Sequence, residues 1–77
     1  MTNFKVCCIT TEPEQFKVEM ESIFGTSNIL MNKRARNESR TMIHLGFTLK
    51  ENLTVNEISG LIPIYLLRHF NFSIHLT

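Results

Sequence analysis

The sequence predicts an α+β two-layer sandwich, a four-stranded antiparallel sheet with two helices on one face, and three observations predict it. Residues 4 to 77 read as strand, helix, strand, strand, helix, strand. Apolar residues alternate with their neighbours in three of the four strand segments, the two-residue period of a pleated surface. Thr11 with Glu14, and Thr54 with Glu57, put a Thr-x-x-Glu start signal before each helical segment.

Phe4, Val6 and Cys8 alternate with Lys5, Cys7 and Ile9, which gives the first strand apolar residues on both faces and suits a central position. Phe16, Met20, Ile23 and Phe24 recur at helical spacing, and Gly25 is placed to end that helix. Ser27 to about Arg36 reads as the second strand. Its alternation fades after Met31 into Asn32, Lys33, Arg34, Ala35 and Arg36, as in an edge strand running into a polar hairpin. In the third strand Ile43, Leu45, Phe47 and Leu49 occupy one face while Met42, His44, Gly46 and Thr48 occupy the other. Val55, Ile58, Leu61, Ile62, Tyr65 and Leu66 supply the apolar side of the second helix. Pro63 lacks the donor a helix interior needs and Gly60 weakens the same region, so the spacing predicts a kink or two short helices near residues 60 to 63. Phe72, Ile74 and Leu76 alternate with Ser73, His75 and Thr77 in the last strand.

This order is the βαββαβ of a ferredoxin-like sandwich with a four-stranded antiparallel sheet. In the usual strand order of that topology strands one and three are central, strand four flanks one, strand two flanks three, and both helices cover one face. The uncovered face then carries Lys5, Cys7, Ile9, Met42, His44, Gly46, Thr48, Ser73 and His75.

A chain of 77 residues fits one domain with one small core, spanning residues 1 to 77. With 43% hydrophobic and 19% charged residues, three Gly and two Pro, the composition is that of a folded chain. A net charge of +1 supplies no global field for nucleic acid or an anionic membrane, so electrostatic recognition requires a local patch. The longest apolar stretch, Leu61 to Leu67, is far short of the roughly 20 residues that span a bilayer. The N-terminal residues carry no basic segment followed by an apolar run, and a cytoplasmic location is the expectation. Cys7 and Cys8 are adjacent, and neighbouring strand residues point to opposite faces, so the two are read as free thiols.

The uncovered face mixes apolar Cys7, Ile9 and Met42 with short polar groups, a composition that suits an interface with a partner or a second copy. Cys7, His44 and His75 fall on this face on three adjacent strands. A thiolate with two imidazoles can ligate zinc or copper, yet no Cys-x-x-Cys or His-x-x-x-His spacing supports it, and no metal or cofactor is expected. Lys33, Arg34, Arg36 and Arg40 place four of the eight basic residues in one hairpin, where they could meet phosphates or an acidic protein surface. RNA readers of this topology expose aromatic rings on strands one and three. Here those positions hold Cys7, Ile9, Met42, His44 and Gly46.

No Ser, His and Asp arrangement, phosphate-cradling glycine loop or carboxylate pair can be assembled from the chain, so no enzyme is expected. The segment from Val6 to Ile29 resembles the start of an ACT-type regulatory domain: an apolar strand, a turn with an acidic residue and Pro13, an amphipathic helix, and Asn28-Ile29 entering the second strand. The resemblance implies a small dimerising sensor. Glu14 stands where such domains usually place a glycine after the proline. The leading expectation is a non-enzymatic interaction or regulatory protein, a homodimer that binds or inhibits a macromolecular partner. Its contact residues are Cys7, Ile9, Met42, His44, His75, Lys33, Arg34, Arg36 and Arg40. A ligand-sensing ACT-like domain and a nucleic-acid binder using the Lys33 to Arg40 hairpin are the alternatives.

Overall fold

Alternation in the two longest strands sets the sheet. β1 (Thr2–Thr10) and β3 (Thr41–Leu49) pair antiparallel without a break, from Thr2 opposite Leu49 to Thr10 opposite Thr41. β2 (Leu30–Ala35) flanks β3 and β4 (Phe70–Leu76) flanks β1, giving the order β2-β3-β1-β4 with every pairing antiparallel. The described residues also form three helices: α1 (Pro13–Phe24), α2 (Val55–Leu61) and α3 (Ile64–Leu67). The computed structural model describes residues 1–26, 29–35 and 39–77, so both ends of the predicted second strand, Ser27 and Arg36, lie outside the described residues. The architecture is α+β in two layers. Its element order is strand, helix, strand, strand, helix, helix, strand, because the second helical segment divides.

Phe4, Val6 and Cys8 of β1 and Ile43, Leu45 and Phe47 of β3 lie on the helix side and are at most 3% exposed. They meet Phe16 and Met20 of α1, Ile58 of α2, Leu66 of α3 and Ile62 between the last two. Each large apolar side chain removed from water contributes about 1.5–3 kcal/mol. Phe4 and Phe47 are directly opposite in the ladder, and their rings stack 4.9 Å apart. Phe24, the last residue of α1, meets both rings edge-on, at 5.4 and 5.1 Å. That trio holds the end of α1 against one end of the two central strands. Thr2 closes the same end from below: its Oγ1 donates to the Glu51 carbonyl at 2.6 Å and accepts from the Leu53 amide at 2.8 Å.

The two helix starts differ. Thr54 and Glu57 form the full reciprocal box, with the Glu57 amide donating to Thr54 Oγ1 at 3.2 Å and the Thr54 amide donating to Glu57 Oε1 at 2.9 Å. The box expected from Thr11 and Glu14 does not form. Glu12 occupies the N-cap without a side-chain bond, Pro13 opens the helix, and Glu14 turns to Lys33 of β2. Proline at the first position has no N–H to satisfy, which removes part of the need for a cap. Gly25 ends α1 as expected, at φ 63° in the left-handed region, with the next amide, Thr26, reaching back to the Glu21 carbonyl.

Pro63 separates α2 from α3. The residue before a proline is pushed out of the helical region, and Ile62 is extended at φ −96°, ψ 127°. The break also narrows the apolar stripe. Ile58, Ile62 and Leu66 are buried, whereas Val55, Leu61 and Tyr65, expected in the same stripe, are exposed. His69 caps α3, its Nδ1 donating to the Leu66 carbonyl at 2.9 Å and its ring edge-on to Phe16. Among the described residues no helix is long and apolar enough to cross a membrane.

β4 carries an irregularity that the alternation of Phe72, Ile74 and Leu76 conceals. Cys7 faces Ser73 but Ile9 faces Phe70, so β4 has one more residue than β1 across this interval. Asn71, at φ 56°, takes up the extra residue in the left-handed region that Asn tolerates. Parity alone would send Phe70 toward the helices with Phe72. The bulge returns it to the opposite side, level with Ile9.

Replacing Phe47 by Ala removes the stacked ring and the edge contact with Phe24, and is expected to lower the unfolding free energy by about 3–5 kcal/mol. Thr54→Ala, which breaks one cap on an exposed helix end, costs about 1 kcal/mol. Urea unfolding of both variants beside the parent chain checks the two values and their order.

Candidate functional site: the open face of the sheet

The register arranges the helix-free face in rows that cross the strands. His75, Lys5, Gly46 and Leu30 form one row, Ser73, Cys7, His44 and Asn32 the next, and Phe70, Ile9, Met42 and Arg34 the third. Directly opposed residues share a face, so each row is a set of neighbours. Leu30 is 78% exposed and Phe70 61% exposed, while Cys7, Met42, His44 and Gly46 are half-buried. Ile9, expected to be an accessible contact residue, is 7% exposed, flanked in its row by Phe70 and Met42. It supports the face and offers a partner little area.

Cys7 and His44 meet at the centre, with Sγ 3.1 Å from Nδ1. His75 stands one row away and bonds Ser73, Nε2 to Oγ at 3.0 Å. The trio of Cys7, His44 and His75 therefore resolves into a pair and a separate residue. Among the described residues no group of three His, Cys, Asp or Glu side chains is placed to hold a metal ion. Cys8, one residue from Cys7, belongs to the core. Its burial, and then the neighbouring charge of Cys7, push its thiol up to about 12 from an ordinary 9.0. Both cysteines are free.

The basic hairpin is divided between the two layers. Lys33 lies opposite Ile43, a core residue, and its Nζ reaches Glu14 Oε1 of α1 at 2.8 Å. Arg34, opposite Met42, is exposed on the open face. The Arg40 guanidinium lies 5.8 Å from the centre of the Phe70 ring, a cation–π contact at the rim of the same face. Arg36 lies outside the described residues. Strand parity separates residues 33 and 34, which reading the hairpin as one charge cluster had joined.

None of the four strands contains an Asp or Glu, so the side chains of known charge on the open face are the cations Lys5 and Arg34, with Arg40 beside them. The described carboxylates sit on α1, α2 and the loops. A hollow of about 680 Å³ opens beside the central row, lined among others by Lys5, Leu30, Asn32, His44 and Gly46. Gly46 helps to keep it open: a Cβ there would lie 3.9 Å from Leu30 Cβ, an ordinary contact, so a larger residue would fit and fill it. Sequence reasoning missed Leu30, Asn32 and Phe70. Cross-strand register would have revealed the first two, and the bulge at Asn71 hid the third.

Comparison of the chain with models of protein families, with curated proteins and with solved structures found no match. The chemistry of the face is thus the guide to function.

The hydrogen bond from Lys33, and then its charge, hold the Glu14 carboxyl below its usual range. Folding favours the ionised carboxylate, so this contribution is present near neutral pH and is lost as pH falls through the lowered value. In Lys33→Met the Glu14 carboxyl should titrate at higher pH than in the parent chain. Carbon-detected NMR of the Glu side chains measures this, and an unchanged midpoint would remove the ion pair.

Proposed function

We propose that this chain is a ferredoxin-like interaction module that binds the acidic surface of a protein partner on its open sheet face and thereby regulates or inhibits that partner. The observation that carries the reading is the combination on one face of exposed Leu30 and Phe70 with the cations Lys5 and Arg34, and no carboxylate on the described strands. Apolar side chains supply burial, and the cations orient an acidic surface and speed its encounter. The strand order β2-β3-β1-β4 and the helix between β1 and β2 support the ferredoxin-like assignment.

The charge distribution weighs between partners. A second copy docked face to face would bring cations toward cations, so the expected homodimer is a poorer occupant than an acidic protein. A nucleic acid is also a poorer occupant. Lys33 is engaged with Glu14, and the middle strands offer no Phe, Tyr or Trp ring on this face for bases to stack on. Four strands about 4.8 Å apart, each presenting about six residues at about 3.3 Å per residue, give a plan area of roughly 400 Å². Counted on both partners that is about 800 Å², below the roughly 1,200–2,000 Å² of stable interfaces, so the contact is a weak and reversible one. The ACT-like reading rests on a hollow of about 240 Å³ beside Thr10, Thr11, Arg40 and Phe70, at the turn where such domains meet their ligands.

The test is an NMR titration of the labelled chain with a peptide alternating Glu and Leu, beside one with a single-stranded oligonucleotide. Binding of the peptide should shift the amides of Lys5, Leu30, Arg34, His44 and Gly46 and spare α1. Arg34→Glu should weaken it about tenfold. Gly46→Val should weaken it while keeping or raising stability. Shifts confined to the helices would sink the proposal, and tighter binding of the oligonucleotide would transfer the face to nucleic acid. A stable dimer by sedimentation, dissociated by Met42→Asp, would restore the second copy.

A further inference from the structure

The Cys7–His44 pair lies at the centre of the open face, where the thiol sulfur and a ring nitrogen are in hydrogen-bond contact. We infer that Cys7 is a reactive thiol, with His44 as its proton acceptor, and that it forms mixed disulfides with small-molecule disulfides. The inference stands on the pair itself and is independent of which partner covers the face.

Cys7 Sγ lies 3.1 Å from His44 Nδ1, within reach for a thiol proton to pass to the ring. A thiol donating to Nδ1 requires the ring proton on Nε2. Transfer then leaves a thiolate beside an imidazolium. The charges on the same face, Lys5 of β1 and Arg34 of β2, favour the thiolate half of that pair; β4 contributes His75, and no described strand residue supplies a carboxylate. Cys7 is half-buried on the helix-free side, and the hollow lined by Lys5, Asn32 and His44 opens beside its partner His44. Cys8 marks the contrast, since it is 1% exposed and its thiol is held protonated by burial.

The exchange balances within these groups. The Cys7 thiolate attacks one sulfur of the incoming disulfide, the new S–S bond forms as the old one breaks, and the electron pair leaves with the second sulfur. The imidazolium returns the proton to that leaving sulfur when it is an alkyl thiolate, and to water when it is an aromatic thiolate that stays ionised. Cys7 is oxidised to a mixed disulfide and half of the reagent is reduced to a thiol, with no other oxidant. Acyl transfer is a poorer match. Cys7 lies on a strand paired on both sides, so its ladder amides are committed and offer no pair of donors for an oxyanion.

The probe is an aromatic disulfide bearing carboxylates, whose released thiolate is coloured, reacted with the full chain between pH 6.5 and 8 and mapped by peptide mass. One equivalent should react rapidly, at Cys7, and Cys8 should follow only on unfolding in urea. In the unfolded chain the rate should fall about 25-fold from pH 8 to 6.5, as for an ordinary thiol. In the folded chain the fall should be several-fold smaller, because the proton stays within the pair. His44→Gln should restore the ordinary profile and slow the reaction at pH 6.5 about tenfold. Equal pH dependence in folded and unfolded wild-type chain would overturn the proposal, and this comparison needs no variant to fold. A folded His44→Gln chain that reacts as fast as the parent would overturn it too.

Discussion

Everything in this molecule depends on the unbroken pairing of β1 with β3. Nine consecutive register pairs decide which residues lie under the helices and which meet water. A slip by one residue would turn every side chain of a strand to the other face. Phe4 stacked on Phe47, with Phe24 against both, makes such a slip costly at one end of the ladder. The same register sets Cys7 opposite His44 on the reverse side. The core and the reactive pair are thus two faces of one alignment.

Much of the fold was legible because period survives wherever a strand or helix has one wet side. The alternation of Ile43, Leu45 and Phe47 identified the buried face of β3, and the Thr54–Glu57 box and Gly25 marked helix ends that the structure realises. The readings that changed are those in which a distant residue competes with a local signal. Glu14 had a capping role available and turned instead to Lys33, nineteen residues away. Leu61 and Tyr65 kept helical spacing but lost the core when Pro63 broke the helix between them.

The site was less legible than the fold, for a related reason. Residue types and strand parity could nominate Cys7, His44 and His75, but which of them touch depends on alignment between strands far apart in sequence. One bulge at Asn71 was enough to move Phe70 from one layer to the other. Charge shows the same effect at larger scale. Basic residues at 33 and 34 are neighbours in the chain and belong to opposite sides of the sheet, one neutralised by a helix and one exposed. Cys7 and Cys8 repeat that separation in thiol chemistry, one beside an imidazole and the other sealed in hydrocarbon.

The position of β1 between β3 and β4 also bears on the order in which the chain acquires its shape. Phe4 pairs with Leu76, so this edge of β1 waits for residues made long after it during synthesis. Contacts between such distant positions close large loops before they return any stabilisation, which slows folding. β2 and β3 are joined by a short connection and can align early, and β1 can join β3 next. Until β4 arrives, the free edge of β1 is an unpaired strand ready to accept a foreign one. β4 therefore closes the free side of β1, and the interval before it docks is when β1 is most exposed to wrong pairing.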